Sequence, residues 1–255
     1  MIKAVLFDLD GTLLHFYQDE FIAAYFKELK KIFVRLGFDA ELAFEGLWAG
    51  TKAMMLNNGE LLNRDSFWAE FMRVVGVSHE QMKIAEDACN DFYSSVAFDG
   101  VKSIMKNNDL ELPKRIVHST AERGFTVVLA TNPLFPECAI TTRLGWVGLS
   151  VSDFKLVTHY GNSRYCKPNF GYYREIFEKI GLEPDQCLMV GNSTLEDMSI
   201  SALGTDTFLV KECIENESEI DISAYRSGTL KELGEYILTL QSPSFNEDAS
   251  GGGNY

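Results

Sequence analysis

The chain has 255 residues, 46% of them hydrophobic, which is enough to bury a full core as one large domain or two smaller ones. Its formal net charge of −14 and isoelectric point near 4.7 oppose any general affinity for nucleic acid or an anionic membrane, so a phosphate-bearing ligand needs a local positive site. No run approaches the length of a membrane helix, and the chain opens on a strand pattern rather than a charged region and signal core. The expectation is a cytoplasmic protein without membrane or nucleic-acid partners, its oligomeric state open.

The apolar run Ile2 to Phe7 reads as a short buried strand, and it ends in Asp8-Leu9-Asp10-Gly11-Thr12. Residues two apart on a strand point the same way, so Asp8 and Asp10 can address one ligand. Gly11 permits a tight turn that brings backbone amides to an anion, and Thr12 suits a cap for the next segment of chain. Such a carboxylate pair can divide nucleophilic attack and proton transfer between its members. On these residues alone a surface turn is the competing reading, since Asp and Gly are common turn residues.

The pattern then becomes helical. Tyr17 to Leu36 and Ala40 to Met55 carry apolar positions at helical spacing, followed by a break at Asn57-Asn58-Gly59 and a third helix from Asn63 to Val75. Ser78 with Gln81 forms a capping box for a fourth helix running towards Tyr93. Residues 15–98 thus form a helical insertion. It is dense in aromatic residues, which packing of the helices explains better than an aromatic substrate does.

From Phe98-Asp99-Gly100 onward, helices alternate with the short apolar strands Thr126 to Ala130, Leu156 to His159, Leu188 to Val190 and Thr207 to Val210. Strands separated by helices imply a parallel sheet covered on both faces, with ligands beyond the carboxyl ends of the strands. Those ends hold Asp8 and Asp10, then Thr131-Asn132, then Gly191-Asn192-Ser193. Pro168 opens a helix with Lys167 at its mouth. The five cysteines lack any Cys-x-x-Cys spacing and suggest neither disulfides nor a zinc site. Residues 242–255 lack apolar periodicity and read as a loose tail.

In order along residues 1–241, Asp8-Leu9-Asp10-Gly11-Thr12, Thr131, Lys167 and Gly191-Asn192-Ser193-Thr194-Leu195-Glu196-Asp197 resemble the four signatures of the haloacid dehalogenase-like hydrolase superfamily, in its helical-cap (C1) phosphatase branch. The resemblance implies an α/β fold, a Rossmann-like parallel sheet in the order 5-4-1-2-3, with a core of residues 1–14 and 99–241 and a cap of residues 15–98. It implies Asp8 as nucleophile towards phosphorus and Asp10 as the acid and base that serves the leaving oxygen and then water. Gly11, Thr131, Asn132 and Lys167 would join Asp8 in holding the phosphoryl group, with Thr131 and Lys167 counted as catalytic. Mg2+ would bind Asp8, the Asp10 carbonyl, Asn192 and Asp197. Asn192 departs from the usual aspartate, leaving Glu196 or Asp197 to supply the missing charge.

The implied substrate is a small phosphorylated metabolite, which His15, Phe16 and Tyr17 could contact as they leave the catalytic turn, although a hinge role suits them equally. A phosphomutase, a dehalogenase and a noncatalytic binding protein are the alternatives. Asp10 speaks against dehalogenation, because that branch normally lacks an acid there. Asn192 alone favours the noncatalytic reading.

Overall fold

Residues 1–243 are described by the computed structural model, and from residue 244 on the expected tail lies outside the described residues. Strand β1 (Ala4–Phe7) has no exposed side chain, as a central strand of a covered parallel sheet must not. It pairs in parallel with β2 (Thr126–Leu129) on one side and β4 (Cys187–Gly191) on the other, so that Phe7 stands level with Leu129 and Val190. With β3 (Leu156–Val157), β5 (Asp206–Val210) and β6 (Ser227–Gly228) the sheet runs β3-β2-β1-β4-β5-β6, all parallel. This is the expected 5-4-1-2-3 order with one further strand at the edge. Register matters to function: because β1, β2 and β4 end level, Asp8, Thr131 and Asn192 emerge along one rim.

Five helices are inserted after β1: α1 (Gln18–Arg35), α2 (Ala40–Met55), α3 (Asn63–Val75), α4 (His79–Tyr93) and the single turn α5 (Val96–Asp99). Each long helix follows its apolar repeat, and α1 buries Phe21, Tyr25, Leu29, Ile32 and Phe33 on one stripe. Asp39 accepts the Glu41 and Leu42 amides to start α2, while Ser78 and Gln81 form the reciprocal capping box anticipated for α4.

In the core, α6 (Leu112–Glu122), α7 (Glu137–Gly145), α8 (Phe170–Ile180) and α9 (Leu230–Thr239) cover the sheet. Strand alternation sorts the two faces. Val5, Phe7, Val127, Leu129, Leu188 and Val190 pack with α6, α7, α9 and the cap, whereas Ala4, Leu6, Val128 and Met189 pack with Tyr172, Tyr173, Ile176 and Phe177 of α8.

Besides its two chain connections, the cap is held to the core at a third place. The buried Asn63 at the start of α3 donates its backbone N–H to Ser163 O (2.9 Å) and its side-chain amide to Pro133 O (3.3 Å) and Tyr165 O (3.2 Å). The next amide, of Arg64, reaches Tyr160 O at 2.9 Å. The mouth of α3 is therefore stitched to the core loop that leads into Lys167. Among the described residues no helix is long and apolar enough to cross a membrane.

Candidate active site

The site begins where β1 runs out. Asp8 N–H continues the ladder to Val190 O at 2.9 Å, and the chain then folds back so that Leu14 N–H reaches Leu9 O (2.9 Å) and Gly11 N–H reaches Leu14 O (2.7 Å). Gly11 holds φ +78°, and a Cβ there would lie 2.1 Å from the Asn192 amide nitrogen, so the turn and the fourth signature meet only across a glycine. Thr12 is not a helix cap as expected. Its buried hydroxyl lies 3.1 Å from both Asp8 Oδ2 and Asn192 Oδ1, which ties the first and fourth signatures together.

Lys167 is fully buried and donates to Asp8 Oδ1 at 2.8 Å and Asp197 Oδ1 at 2.6 Å. Burial opposes its charge, but the Asp197 and Asp8 carboxylates together hold its pKa above the ordinary lysine value. Burial pushes the Asp8 carboxyl up against the pull of Lys167, with Asp197 and Asp10 adding to the upward push. The local reason for Lys167's position differs from the sequence reading. Asn169, not Pro168, starts α8, accepting the Gly171 amide at 2.8 Å, so Pro168 stands ahead of the helix.

Thr131 is placed by its own carbonyl, which accepts the Thr158 hydroxyl (2.7 Å) and the Tyr172 hydroxyl (2.9 Å). Asn132 links two signatures: its Oδ1 accepts the Lys167 amide at 3.2 Å and its Nδ2 donates to Glu196 Oε1 at 3.0 Å. Asn192 donates Nδ2 to Cys213 O at 2.7 Å, which turns its carbonyl oxygen towards the Thr12 hydroxyl. Asp197 has both oxygens engaged, one by Lys167 and the other by Ser193 N–H at 3.0 Å. Asp8, Asp10, Thr131, Asn132, Asn192 and Asp197 line a single pocket, with Lys167 directly beneath two of them.

The remaining sequence candidates lie elsewhere. His15 and Phe16 are buried where the chain leaves the turn, and His15 is held by Asn107 Oδ1 (2.8 Å) and by the Lys106 amide on its carbonyl (2.7 Å). Tyr17 lines an outer acidic groove, and it is Gln18 that reaches the pocket wall.

Sequence reading also missed Arg143 and Glu215. Arg143 of α7 is entirely buried, its guanidinium carbon 4.5 Å from the Phe135 ring centre and 5.3 Å from that of Phe21, and its Nη1 donates to Asp10 Oδ2 at 2.5 Å. Asp10 Oδ1 has no partner. A signal existed: Arg143 sits on the apolar stripe Ala139, Ile140, Leu144, and a cation there requires a buried counter-charge. Glu215 arrives from the irregular chain after β5, placed by its N–H to Asn192 O (2.9 Å) and by Thr194 N–H to its carbonyl (3.0 Å). Nothing in the sequence around it foretells this.

Residues 2–200 match the haloacid dehalogenase-like hydrolase family, and the chain belongs to it. The inserted helical cap is consistent with the C1 branch. Among solved structures, an HAD phosphatase from Thermococcus onnurineus is similar at 19% identity and TM-score 0.58, covering 95% of this chain and 100% of its own. A 2-haloacid dehalogenase from Pseudomonas syringae pv. Tomato DC3000 is similar at 17% identity and TM-score 0.62, covering 93% and 98%. A β-phosphoglucomutase from Clostridium difficile is similar at 16% identity and TM-score 0.55, covering 93% and 96%. At these identities the likeness is one of fold, and it spans three chemistries. No curated protein matches the chain.

Proteins of this superfamily often use a magnesium ion. Among the described residues no three His, Cys, Asp or Glu side chains are arranged to hold one by themselves. The donor set nevertheless fits a hard cation once neutral oxygens are included. Asn192 Oδ1 accepts only the Thr12 hydroxyl, which also lies 3.1 Å from Asp8 Oδ2, and the pocket's acids outnumber its cations. Asp197 is the poorer candidate ligand because both its oxygens are taken.

Proposed function

We propose that the chain is a magnesium-dependent phosphomonoester hydrolase that works through an aspartyl-phosphate on Asp8. The observation that carries this reading is Lys167, buried between Asp8 and Asp197, together with an Asp10 carboxylate whose Oδ1 is free. Lys167 would neutralise charge where the phosphoryl group arrives, and Thr131 and Asn132 would hold its oxygens. In the first step an Asp8 oxygen attacks phosphorus, the bond from phosphorus to the ester oxygen breaks, and Asp10 gives that oxygen its proton. In the second, Asp10 takes a proton from water as the water oxygen attacks phosphorus, and the bond from phosphorus to Asp8 breaks to release phosphate.

Magnesium, when bound, would stabilise the charge that builds on the transferring group. Asp8, Asn192 and the Asp10 carbonyl are the residues assigned to it. The reading takes residues 15–98 as the cap and the cytoplasm as the compartment, a setting that suits five free cysteines, four of them buried. The Asp10 carboxylate favours a phosphatase over a dehalogenase.

The test is a panel of phosphate esters assayed with and without magnesium. Wild-type protein releases phosphate only with the metal, and Asp8→Asn protein, folded by circular dichroism, loses at least about 10³-fold. Turnover retained by Asp8→Asn above a mock preparation rejects the covalent route.

A further inference from the structure

Asn63 belongs to the cap, yet its side chain ends between the two core loops that carry the second and third signatures. Its amide nitrogen reaches Pro133 O at 3.3 Å, one residue beyond Asn132. It also reaches Tyr165 O at 3.2 Å and Cys166 Sγ at 3.3 Å, on the two residues that precede Lys167. Among the described residues no other group donates to either carbonyl. The same two loops are tied once more on the pocket side, where Asn132 Oδ1 accepts the Lys167 N–H at 3.2 Å. A residue of the cap thus clamps the backbone on both sides of that contact.

Adhesion of cap to core does not by itself account for an amide at this position. Asn63 is fully buried, and a buried amide is favourable only when its hydrogen bonds are made. Backbone bonds already dock the start of α3, from Asn63 N–H to Ser163 O and from Arg64 N–H to Tyr160 O, both at 2.9 Å. The orientation of the side chain is fixed separately, from within the cap. Asn57 Nδ2 donates to Asn63 Oδ1 and to Leu61 O, each at 2.9 Å, while Asn57 Oδ1 accepts the Gly59 N–H at 3.2 Å. The Asn57-Asn58-Gly59 break between α2 and α3 is therefore a turn that holds the Asn63 amide with its N–H groups towards the core.

We propose that Asn63 is a positioning residue of the catalytic pocket: it fixes the Asn132 loop and the Lys167 loop against each other, so that the docked cap sets where Lys167 meets Asp8. The proposal rests on the phosphatase reading of Asp8 and Lys167. Lys167 must keep its contacts to Asp8 at 2.8 Å and Asp197 at 2.6 Å while the phosphoryl group arrives beside them. Misplacing such a group by about 1 Å costs on the order of 10²-fold in rate. Part of the catalytic geometry is thereby held from outside the core.

The experiment sets Asn63→Ala against Arg164→Met on the full chain with magnesium, using the phosphate ester of the panel that wild type cleaves fastest. Asn63→Ala removes the amide and keeps both backbone bonds to the core. Arg164→Met removes other bonds between core and cap, from the exposed Arg164 guanidinium to Gly59 O (3.3 Å) and Glu60 O (2.9 Å). Asn63→Ala is expected to lower kcat about 30-fold with KM changed less than threefold, and Arg164→Met to change each less than about twofold. Asn57→Ala leaves the amide in place but frees its orientation; it should lower kcat about threefold, and it stands in if Asn63→Ala does not fold. Equal losses in Asn63→Ala and Arg164→Met, or a loss carried by KM, overturn the proposal.

A second readout needs no turnover. The Lys167 ammonium, buried and held by two carboxylates, should give its own side-chain signal in a nitrogen–proton correlation spectrum, the signal being the one missing from Lys167→Arg. That signal is expected to shift or broaden in Asn63→Ala, to do so less in Asn57→Ala, and to stay in place in Arg164→Met. Loss of stability alone would leave it where it is. A Lys167 signal unmoved in both asparagine variants overturns the proposal. If the signal moves while wild type cleaves no ester of the panel, Asn63 still positions Lys167 and the phosphatase reading falls.

Discussion

Arg143 is the residue whose removal separates positioning from folding. Its guanidinium fixes one oxygen of Asp10 and leaves the other free, and it is itself stacked on Phe135 and Phe21. Arg143→Met keeps much of the stacked volume but releases Asp10. We expect kcat to fall about 10²-fold with KM changed less than threefold, because in the proposed mechanism Asp10 acts on the transition state. Arg143→Lys restores a charge but not the planar fork, so it should recover only part of the loss. Equal effects on kcat and KM, or no recovery by Lys, would assign Arg143 to structure alone. Asn192 makes a different case. Its Nδ2 donates to Cys213 O at 2.7 Å, so Asn192→Asp would set a carboxylate oxygen against a carbonyl. The metal-free variant should lose about 1–3 kcal/mol, a drop of several degrees in Tm, while its half-saturating magnesium concentration falls. A metal-free Tm equal to wild type would mean that the Cys213 contact is not made in solution.

Between elements, α2 and α3 approach so closely that side chains on one face of α2 must vanish. A Cβ on Gly50 would meet the Phe67 ring at 2.7 Å and the Phe67 carbonyl at 2.9 Å. Gly50→Ala therefore sets two effects against each other. Alanine improves helix propensity by about 1 kcal/mol, and the overpacking costs about 1–3 kcal/mol because a backbone atom cannot swing aside. The clash should win, with a net loss near 1 kcal/mol and a Tm lower by about 2–4 °C. A higher Tm would show that α3 can slide. Elements with an apolar repeat or a cap were legible in the sequence: the four long cap helices, the capping box of α4 and the first five strands all lie where their patterns put them. β6, only Ser227–Gly228, has no apolar run to announce it, and its pairing is imposed by β5. The same contrast holds in the pocket. Strand-end residues were readable because parallel register forces them together, which is how Asp8, Asp10, Thr131, Asn132 and Asn192 come to share one pocket, whereas Asp197, on the turn beyond β4, was legible only through the family resemblance. Arg143 and Glu215 arrive by tertiary packing from a helix and a loop: the apolar stripe of α7 announces that Arg143 is buried but not which carboxylate it meets, and no local repeat announces Glu215.

Over the whole molecule, an excess of negative charge is concentrated at one rim, and its cost should appear as a pH dependence of folding. Burial raises Glu196 to about 7, opposed by Lys167 and reinforced by Asp197; burial also raises Glu215 to about 7, reinforced by Asp197 and Asp10. The unfolded value is near 4.5, so the native state binds more protons across the interval from 4.5 to 7. Their contribution to stability is fully present below pH 4.5 and is lost as pH rises through about 7. Two histidines work the other way. Burial lowers His15 and His159 below 6.5, so their contribution is present above 6.5 and lost as pH falls. Wild-type stability alone therefore mixes two opposing slopes. The double variant Glu196→Gln, Glu215→Gln keeps both histidines, and subtracting its stability isolates the carboxylates. Without metal, wild type should lose about 2 kcal/mol relative to this variant between about pH 6 and pH 8, as read by urea unfolding. A difference that does not change with pH would mean that these carboxylates are ionised throughout, and that the rim is wetter than its burial implies. With excess magnesium the sign should turn above about pH 7, because a hard cation is held by ionised carboxylates and stabilises whichever state binds it. If magnesium stabilises both proteins equally at every pH, the ion is held without help from Glu196 and Glu215, and Asp8, Asn192 and the Asp10 carbonyl must carry it.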